Sequence, residues 1–136
     1  MRHFGLLVPS TNTTCEIEFC RIPANLDMQV HTGRLGKSGK SPFQPSLDAD
    51  VAYQSKMLGD AKVEVIALAQ TSASLFSDDY DEVTVKRMTE SSGGIPSMTS
   101  AQAVGRCLQA LGIKKIAFVT PYNDDAIARA SRYYEK

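Results

Sequence analysis

Charge of one sign is missing from this chain: 15 Lys+Arg stand against 15 Asp+Glu. That balance removes the usual electrostatic argument for nucleic acid or an anionic membrane as the main partner. Long apolar runs are missing too, and none approaches the ~20 residues needed to span a bilayer. Met1-Arg2-His3 runs directly into a short apolar pattern without signal-peptide architecture, so the expected location is cytoplasmic. Cysteine is scarce: Cys15, Cys20 and Cys107 are odd in number and lack CxxC spacing. They argue against a disulfide framework and are expected as small buried side chains. The two histidines, His3 and His31, have no metal-ligand partner at useful spacing, so no metal site is expected. What is present is 43 % hydrophobic residues in a chain of 136. That is too apolar for disorder, and a domain of this size can bury roughly two-thirds of its unfolded surface.

Apolar runs alternate with helical patterns. Phe4-Gly5-Leu6-Leu7-Val8 reads as a buried strand stopped by Pro9, and Thr13, three before Glu16, offers a capping box for a helix. Met28 to Leu35 reads as a second strand. A glycine- and proline-rich loop runs from Gly33 to Pro45. Ser46 then caps a helix with Leu47, Val51, Gln54 and Leu58 on one face. Val63 to Ala69 is the clearest strand. Asp81 to about Glu90 reads as a helix closed by Gly93-Gly94. Ser100 caps a helix from Ala101 to Leu111, and Gly112 stands where a C-terminal glycine cap belongs. Ile113 to Thr120 reads as a last strand and Asp124 to Tyr134 as a last helix. The order β-α-β-α-β-α-α-β-α predicts an α/β fold, a largely parallel sheet flanked by helices with right-handed crossovers.

Open parallel sheets bind ligands outside the carboxyl ends of their strands. Three such ends here are Pro9-Ser10-Thr11-Asn12-Thr13-Thr14, Gln70-Thr71-Ser72-Ala73-Ser74 and Thr120-Pro121-Tyr122-Asn123-Asp124. All are dense in hydroxyls and amides, and none contains a lysine or arginine. Neutral donors at helix N-termini suit a carboxylate or another small anion. They also suit an enediolate, the species left when a carbon beside a carboxylate loses a proton or CO2. Ser and Thr cap helices for structural reasons alone, so one such end carries little, and three converging ends favour a ligand. The first and last ends also form a weak internal repeat, Leu6-Leu7-Val8-Pro9-Ser10 against Ala117-Phe118-Val119-Thr120-Pro121.

Other patterns carry less. Gly33 to Ser41 resembles a phosphate loop, but the spacing of a Gly, four residues and Gly-Lys-Ser/Thr is not met. It reads instead as a basic loop, a possible lid. No GxGxxG fingerprint supports a dinucleotide site, and nothing marks a flavin or nucleotide site of a flavodoxin-like domain. Asp78, Asp79, Asp81 and Glu82 precede a helix, whose N-terminus accounts for them.

At these strand ends the sequence resembles the aspartate/glutamate racemase superfamily, in the branch of maleate cis-trans isomerases and arylmalonate decarboxylases. The resemblance rests on Gly5 to Thr14, Thr71-Ser72-Ala73-Ser74, Pro96 to Ser100, and Ala110-Leu111-Gly112 through Thr120-Pro121-Tyr122. It implies one half of a pseudo-symmetric two-domain fold with a cleft site and no metal or organic cofactor. Residues 1–112 would form the N-terminal half, and residues 113–136 the first strand and helix of a second. Thr71, Ser72 and Tyr122 would be the catalytic donors to a substrate carboxylate and its enediolate. Asn12 would contact a carboxylate, with Pro9, Ser10 and Gln70 completing substrate binding.

Two departures shape that expectation. Racemases and maleate isomerases carry a cysteine immediately before the Thr-Ser pair, and here Gln70 stands there. An amide does not ionise near neutral pH and cannot replace a thiolate. Arylmalonate decarboxylases also lack that thiol and use one from the second half, a position beyond Lys136. Two readings follow: a cofactor-independent decarboxylase- or isomerase-like enzyme on a small carboxylate or dicarboxylate, or a non-catalytic carboxylate-binding or interaction module. A half-structure leaves a sheet edge and a cleft face uncovered, so a homo-oligomer is expected.

Overall fold

The strand β1 (Arg2–Pro9) carries the sheet. It pairs in parallel with β2 (Met28–Leu35) on one side and with β3 (Val65–Leu68) on the other. A fourth strand, β4 (Ser97–Thr99), pairs in parallel with β3, giving the order β2-β1-β3-β4. The computed structural model describes residues 1–22, 26–36, 48–75 and 77–135. Leu6, Leu7 and Val8 are fully buried in succession. An uninterrupted apolar run is what a strand covered on both faces requires.

The helices are α1 (Cys15–Arg21), α2 (Asp48–Asp60), α3 (Thr71–Ser74), α4 (Tyr80–Ser91), α5 (Ser100–Ala110) and α6 (Asp124–Tyr134). Leu7, Leu35, Val51, Leu58, Val63, Ile66, Leu68 and Met88 form the core that joins α2 and α4 to the sheet. Side chains alternate across a strand, so Phe4 projects opposite to Gly5 and Leu7. It stacks on Phe19 of α1, with ring centroids 5.7 Å apart. The layers are therefore helix, parallel sheet, helix, as the alternating pattern predicts.

Several boundaries are as expected. β2 and α6 coincide with their sequence readings. Helix α4 closes on Gly93 and Gly94, both with positive φ, and α5 on Gly112 at φ 65°. Other expectations need correction. The capping box at Thr13 and Glu16 does not form: the N-cap of α1 is Thr14, without a side-chain cap bond. Asn12 Oδ1 takes the amides of Thr14 (3.1 Å) and Cys15 (2.9 Å) instead. A short carboxamide reaches the amides two and three residues on. Thr99, not Ser100, is the N-cap of α5, in a capping box with Gln102. The strand expected over Val63 to Ala69 is shorter, and β4 and α3 are elements that periodicity cannot reveal at three and four residues.

The largest difference lies at Ile113 to Thr120, which forms no strand. Extended backbone becomes a strand only when a neighbour takes its N–H and C=O groups. Among the described residues no strand edge meets this segment. Val119 is 95 % exposed there, and Ile113, Ile116 and Phe118 are each more than 40 % exposed. The Ser46 cap, Leu47 and the loop from Lys37 to Pro45 lie outside the described residues. Among the described residues no helix is long and apolar enough to cross a membrane.

Candidate functional site

The strand order fixes where a ligand can enter. From β1 the chain crosses to β2 on one side, then returns past β1 to β3 and β4 on the other. The switch point lies between β1 and β3, and the crevice outside their carboxyl ends is the expected binding place. The β1–β3 ladder ends at Leu7 and Leu68, and Ala69 N donates to Leu7 O at 2.8 Å. The next residues are Pro9 and Ser10 on one side and Gln70, Thr71 and Ser72 on the other. Thr99 pairs with Leu68, so Ser100 also emerges at this edge.

The β1 end is tied down by its own chain. Ser10 N donates to Leu35 O at 2.8 Å and Asn12 N to Pro9 O at 2.9 Å. Asn12 Oδ1 is taken by the start of α1, so its NH2 group is the donor it can offer a ligand. No strand-end segment contains a basic residue, yet folding brings one in. Arg34 donates to the carbonyls of Ser10 and Asn12 at 3.3 and 3.1 Å and pairs with Glu16.

The β3 end holds the hydroxyls. Gln70 is the N-cap of α3 without a side-chain cap bond, and its Oε1 is buried and unpartnered. Thr71 Oγ1 lies 2.9 Å from Ser100 Oγ. A hydroxyl has one proton, so Thr71 can donate to a ligand only while Ser100 donates to Thr71. Ser100 thus joins the candidate site, where the sequence marked it as a cap and as the end of the Pro96 to Ser100 segment, because the bond spans two strand ends.

Helix α6 closes the site. Asn123 caps it, its Oδ1 accepting from Ala126 N at 3.0 Å. Arg129 Nη1 donates to Leu75 O at 3.2 Å, and Ala130 is fully buried. The result is a cavity of about 160 Å³ walled by Ser72, Leu75, Tyr122, Asn123, Ala126 and Arg129, with Asp125. Ser72 and Tyr122, far apart in sequence, share this wall. Thr71 and Gln70 stand beside it at the start of α3, while Pro9, Ser10 and Asn12 do not line it. Arg129 gives the cavity a cation that the strand-end composition did not foretell.

The far end of α6 is anchored by a buried carboxylate. Asp81 is 8 % exposed and accepts from the Tyr133 hydroxyl. Its place in the acidic cluster therefore reflects this contact, not only the start of α4. Burial raises the Tyr133 pKa above the ordinary 10.0, and the bond to Asp81 and its charge add to that. The folded chain therefore holds the phenolic proton more tightly than the unfolded chain. The stability involved is full below the unfolded value of about 10 and is lost as pH rises through the higher folded value. Urea unfolding at pH 8 and pH 11 should show this alkaline loss shrinking in Tyr133→Phe. Equal losses in both proteins would contradict the assignment.

The thiols sit elsewhere. Cys20 and Cys107 are exposed and Cys15 is half-buried, so none is the buried side chain expected. Burial, then Glu18 and Glu16, raise the Cys15 pKa, which disfavours its thiolate. None lines the cavity. His3 and His31 meet across β1 and β2, with Nδ1 and Nε2 2.8 Å apart, at the amino end of the sheet. Among the described residues no three His, Cys, Asp or Glu side chains group as metal ligands.

Comparison with known proteins accords with this architecture. The family model for arylmalonate decarboxylase matches residues 4–136. The chain is 30 % identical to maleate isomerase from Alcaligenes faecalis, over 96 % of this chain and 57 % of that protein. It is also 30 % identical to maleate isomerase from Geobacillus stearothermophilus, covering 89 % and 54 %. The crystal structure of maleate isomerase Iso from Pseudomonas putida S16 superposes with a TM-score of 0.72 at 25 % identity, over 98 % of this chain and 59 % of that one. An arylmalonate decarboxylase structure superposes with a TM-score of 0.76 at 21 % identity, covering 98 % and 58 %. The chain thus spans a little over half the length of the relatives it matches, consistent with one half of a two-domain fold.

Proposed function

The chain belongs to the arylmalonate decarboxylase family, and from that premise we propose that it supplies the carboxylate-holding half of a cofactor-independent site. That site acts on a small carboxylate or dicarboxylate through an enediolate, in decarboxylase or isomerase manner. Thr71, Ser72 and Tyr122 donate to the carboxylate and to the charge that develops on it. Asn12 and Gln70 orient the remainder of the substrate, with Pro9 and Ser10 lining its path. The observation that carries the proposal is the shared cavity of Ser72 and Tyr122 at the carboxyl edge of the sheet. Neutral donors fixed before the reaction stabilise developing charge without reorganising.

One observation favours the second reading, a non-catalytic carboxylate-binding module: no thiol lines the cavity, and Gln70 holds the position before Thr71. Incubation with maleate and with malonate, followed by proton NMR, separates the readings. Conversion supports the enzyme. Saturable binding without conversion supports the module, and neither binding nor conversion sinks both.

The division at residue 112 belongs to the same proposal, with residues 113–136 opening a second half. Leu111 is 73 % exposed, and the apolar segment after it is uncovered as well. Patches of this kind find a partner, so the chain is expected to self-associate in sedimentation equilibrium. A monomer at all concentrations would argue against it.

A further inference from the structure

The cavity shared by Ser72 and Tyr122 is built from two sides. Ser72 and Leu75 wall it on one, and Tyr122, Ala126 and Arg129 on the other, so it depends on where α6 lies. Residues 113–120, which lead towards α6, form no strand, and Val119 among them is almost fully exposed. The helix is therefore held by its own contacts. Ala126, Arg129, Ala130 and Tyr133 stand at i, i+3, i+4 and i+7, so one face of α6 carries both the cavity wall and the anchors. Ala130 is fully buried on that face, and Arg129 Nη1 donates to Leu75 O at 3.2 Å. A third anchor lies at the far end, where the Tyr133 hydroxyl donates to Asp81 of α4.

Asp81 Oδ1 is buried with no hydrogen-bond partner among the described residues, so the carboxylate relies on Tyr133. Without that hydroxyl a docked α6 would cover an unpaired carboxylate, whereas a raised α6 would let water reach it. A hydrogen bond to a charged group thus favours the docked helix by a factor of roughly 10 to 150. We propose that Tyr133 is a positioning residue: its bond to Asp81 holds α6 down and keeps Tyr122 on the same cavity as Ser72. Tyr133 does not line that cavity and acts through the helix, a rod of about 10 Å from Ala126 to Tyr133. Its bearing on a ligand rests on the carboxylate site proposed above, while the tie between the helices does not.

The test combines amide hydrogen exchange of α6 with calorimetric titration of maleate, both on the full chain. Tyr133→Phe is expected to speed exchange in α6 about tenfold or more, and by more than in β1 and β3, and to weaken maleate at least about fivefold. Asp81→Asn keeps an oxygen for the hydroxyl and should change both by less. Gly59→Ala, at the contact of α2 with the end of α4, controls for overall stability. Its unfolding midpoint should fall while its maleate affinity stays at the wild-type value. Unchanged α6 exchange in Tyr133→Phe overturns the proposal, whatever maleate does. Faster exchange with unchanged affinity, or an equal loss of affinity in Gly59→Ala, overturns the positioning role. A wild type that binds no maleate counts against the carboxylate site alone, and the exchange rates then decide whether Tyr133 holds the helix.

Discussion

Ser72→Ala is expected to weaken binding of maleate by roughly 10- to 150-fold, and Tyr122→Phe by a similar factor. Both side chains wall the same cavity, and each hydrogen bond to a charged acceptor is worth about 1.5–3 kcal/mol. Where turnover is measurable, losing one donor to the developing charge should lower kcat by about 10²–10³. Thr71 acts through a different arrangement. Its oxygen is 2.9 Å from that of Ser100, so Ser100→Ala should free the Thr71 proton to turn away and give a smaller loss. Thr71→Ser keeps the hydroxyl and should keep most of the affinity. Equal losses from Ser100→Ala and Ser72→Ala would mean that Ser100 itself meets the ligand.

Gly59→Ala is expected to destabilise the fold by about 1–3 kcal/mol, towards the upper end of that range. Two effects compete. Replacing glycine in a helix normally gains roughly 0.5–1 kcal/mol. Against this, α2 approaches the end of α4 so closely that a Cβ at Gly59 would collide with Ser92 O and lie 2.9 Å from its C and Cα. These are backbone atoms and cannot rotate away. Ser92 N is bonded to Met88 O at 3.0 Å, and Met88 is fully buried in the core. Any shift of Ser92 is therefore passed into the packed interior, and overpacking outweighs the propensity gain. Urea unfolding should show a lower midpoint with an unchanged slope. An unchanged or higher midpoint would show that the two helices can part without cost.

Much of the fold was legible because long elements carry their own pattern. The run from Phe4 to Val8 is apolar without break since both faces are covered, and Gly93-Gly94 and Gly112 mark helix ends that need positive φ. Residues 113–120 misled for a related reason. The short apolar run from Ile116 to Val119 describes a backbone ready to pair, but pairing needs an edge, and none meets it among the described residues.

The candidate site was legible in part. Hydroxyl-rich strand ends led to Ser72 and Tyr122, which fold into one cavity. Arg129 and Ser100 reach the candidate site, and Arg34 the neighbouring β1 end, from elements whose local pattern gives no hint of it. Arg34 arrives by strand register, Arg129 by the docking of α6 and Ser100 through β4. Such contacts depend on tertiary neighbours, which single-sequence patterns do not encode.

The central claim is that neutral donors from α3 and from the segment before α6 together hold a carboxylate. Calorimetric titration of maleate into the wild-type chain and into the Ser72→Ala, Tyr122→Phe double variant tests it most directly. The account predicts saturable binding in the wild type and at least a roughly hundredfold loss in the double variant, with far-ultraviolet circular dichroism unchanged. Equal affinity in the two proteins, or no binding of maleate by the wild type, would contradict it.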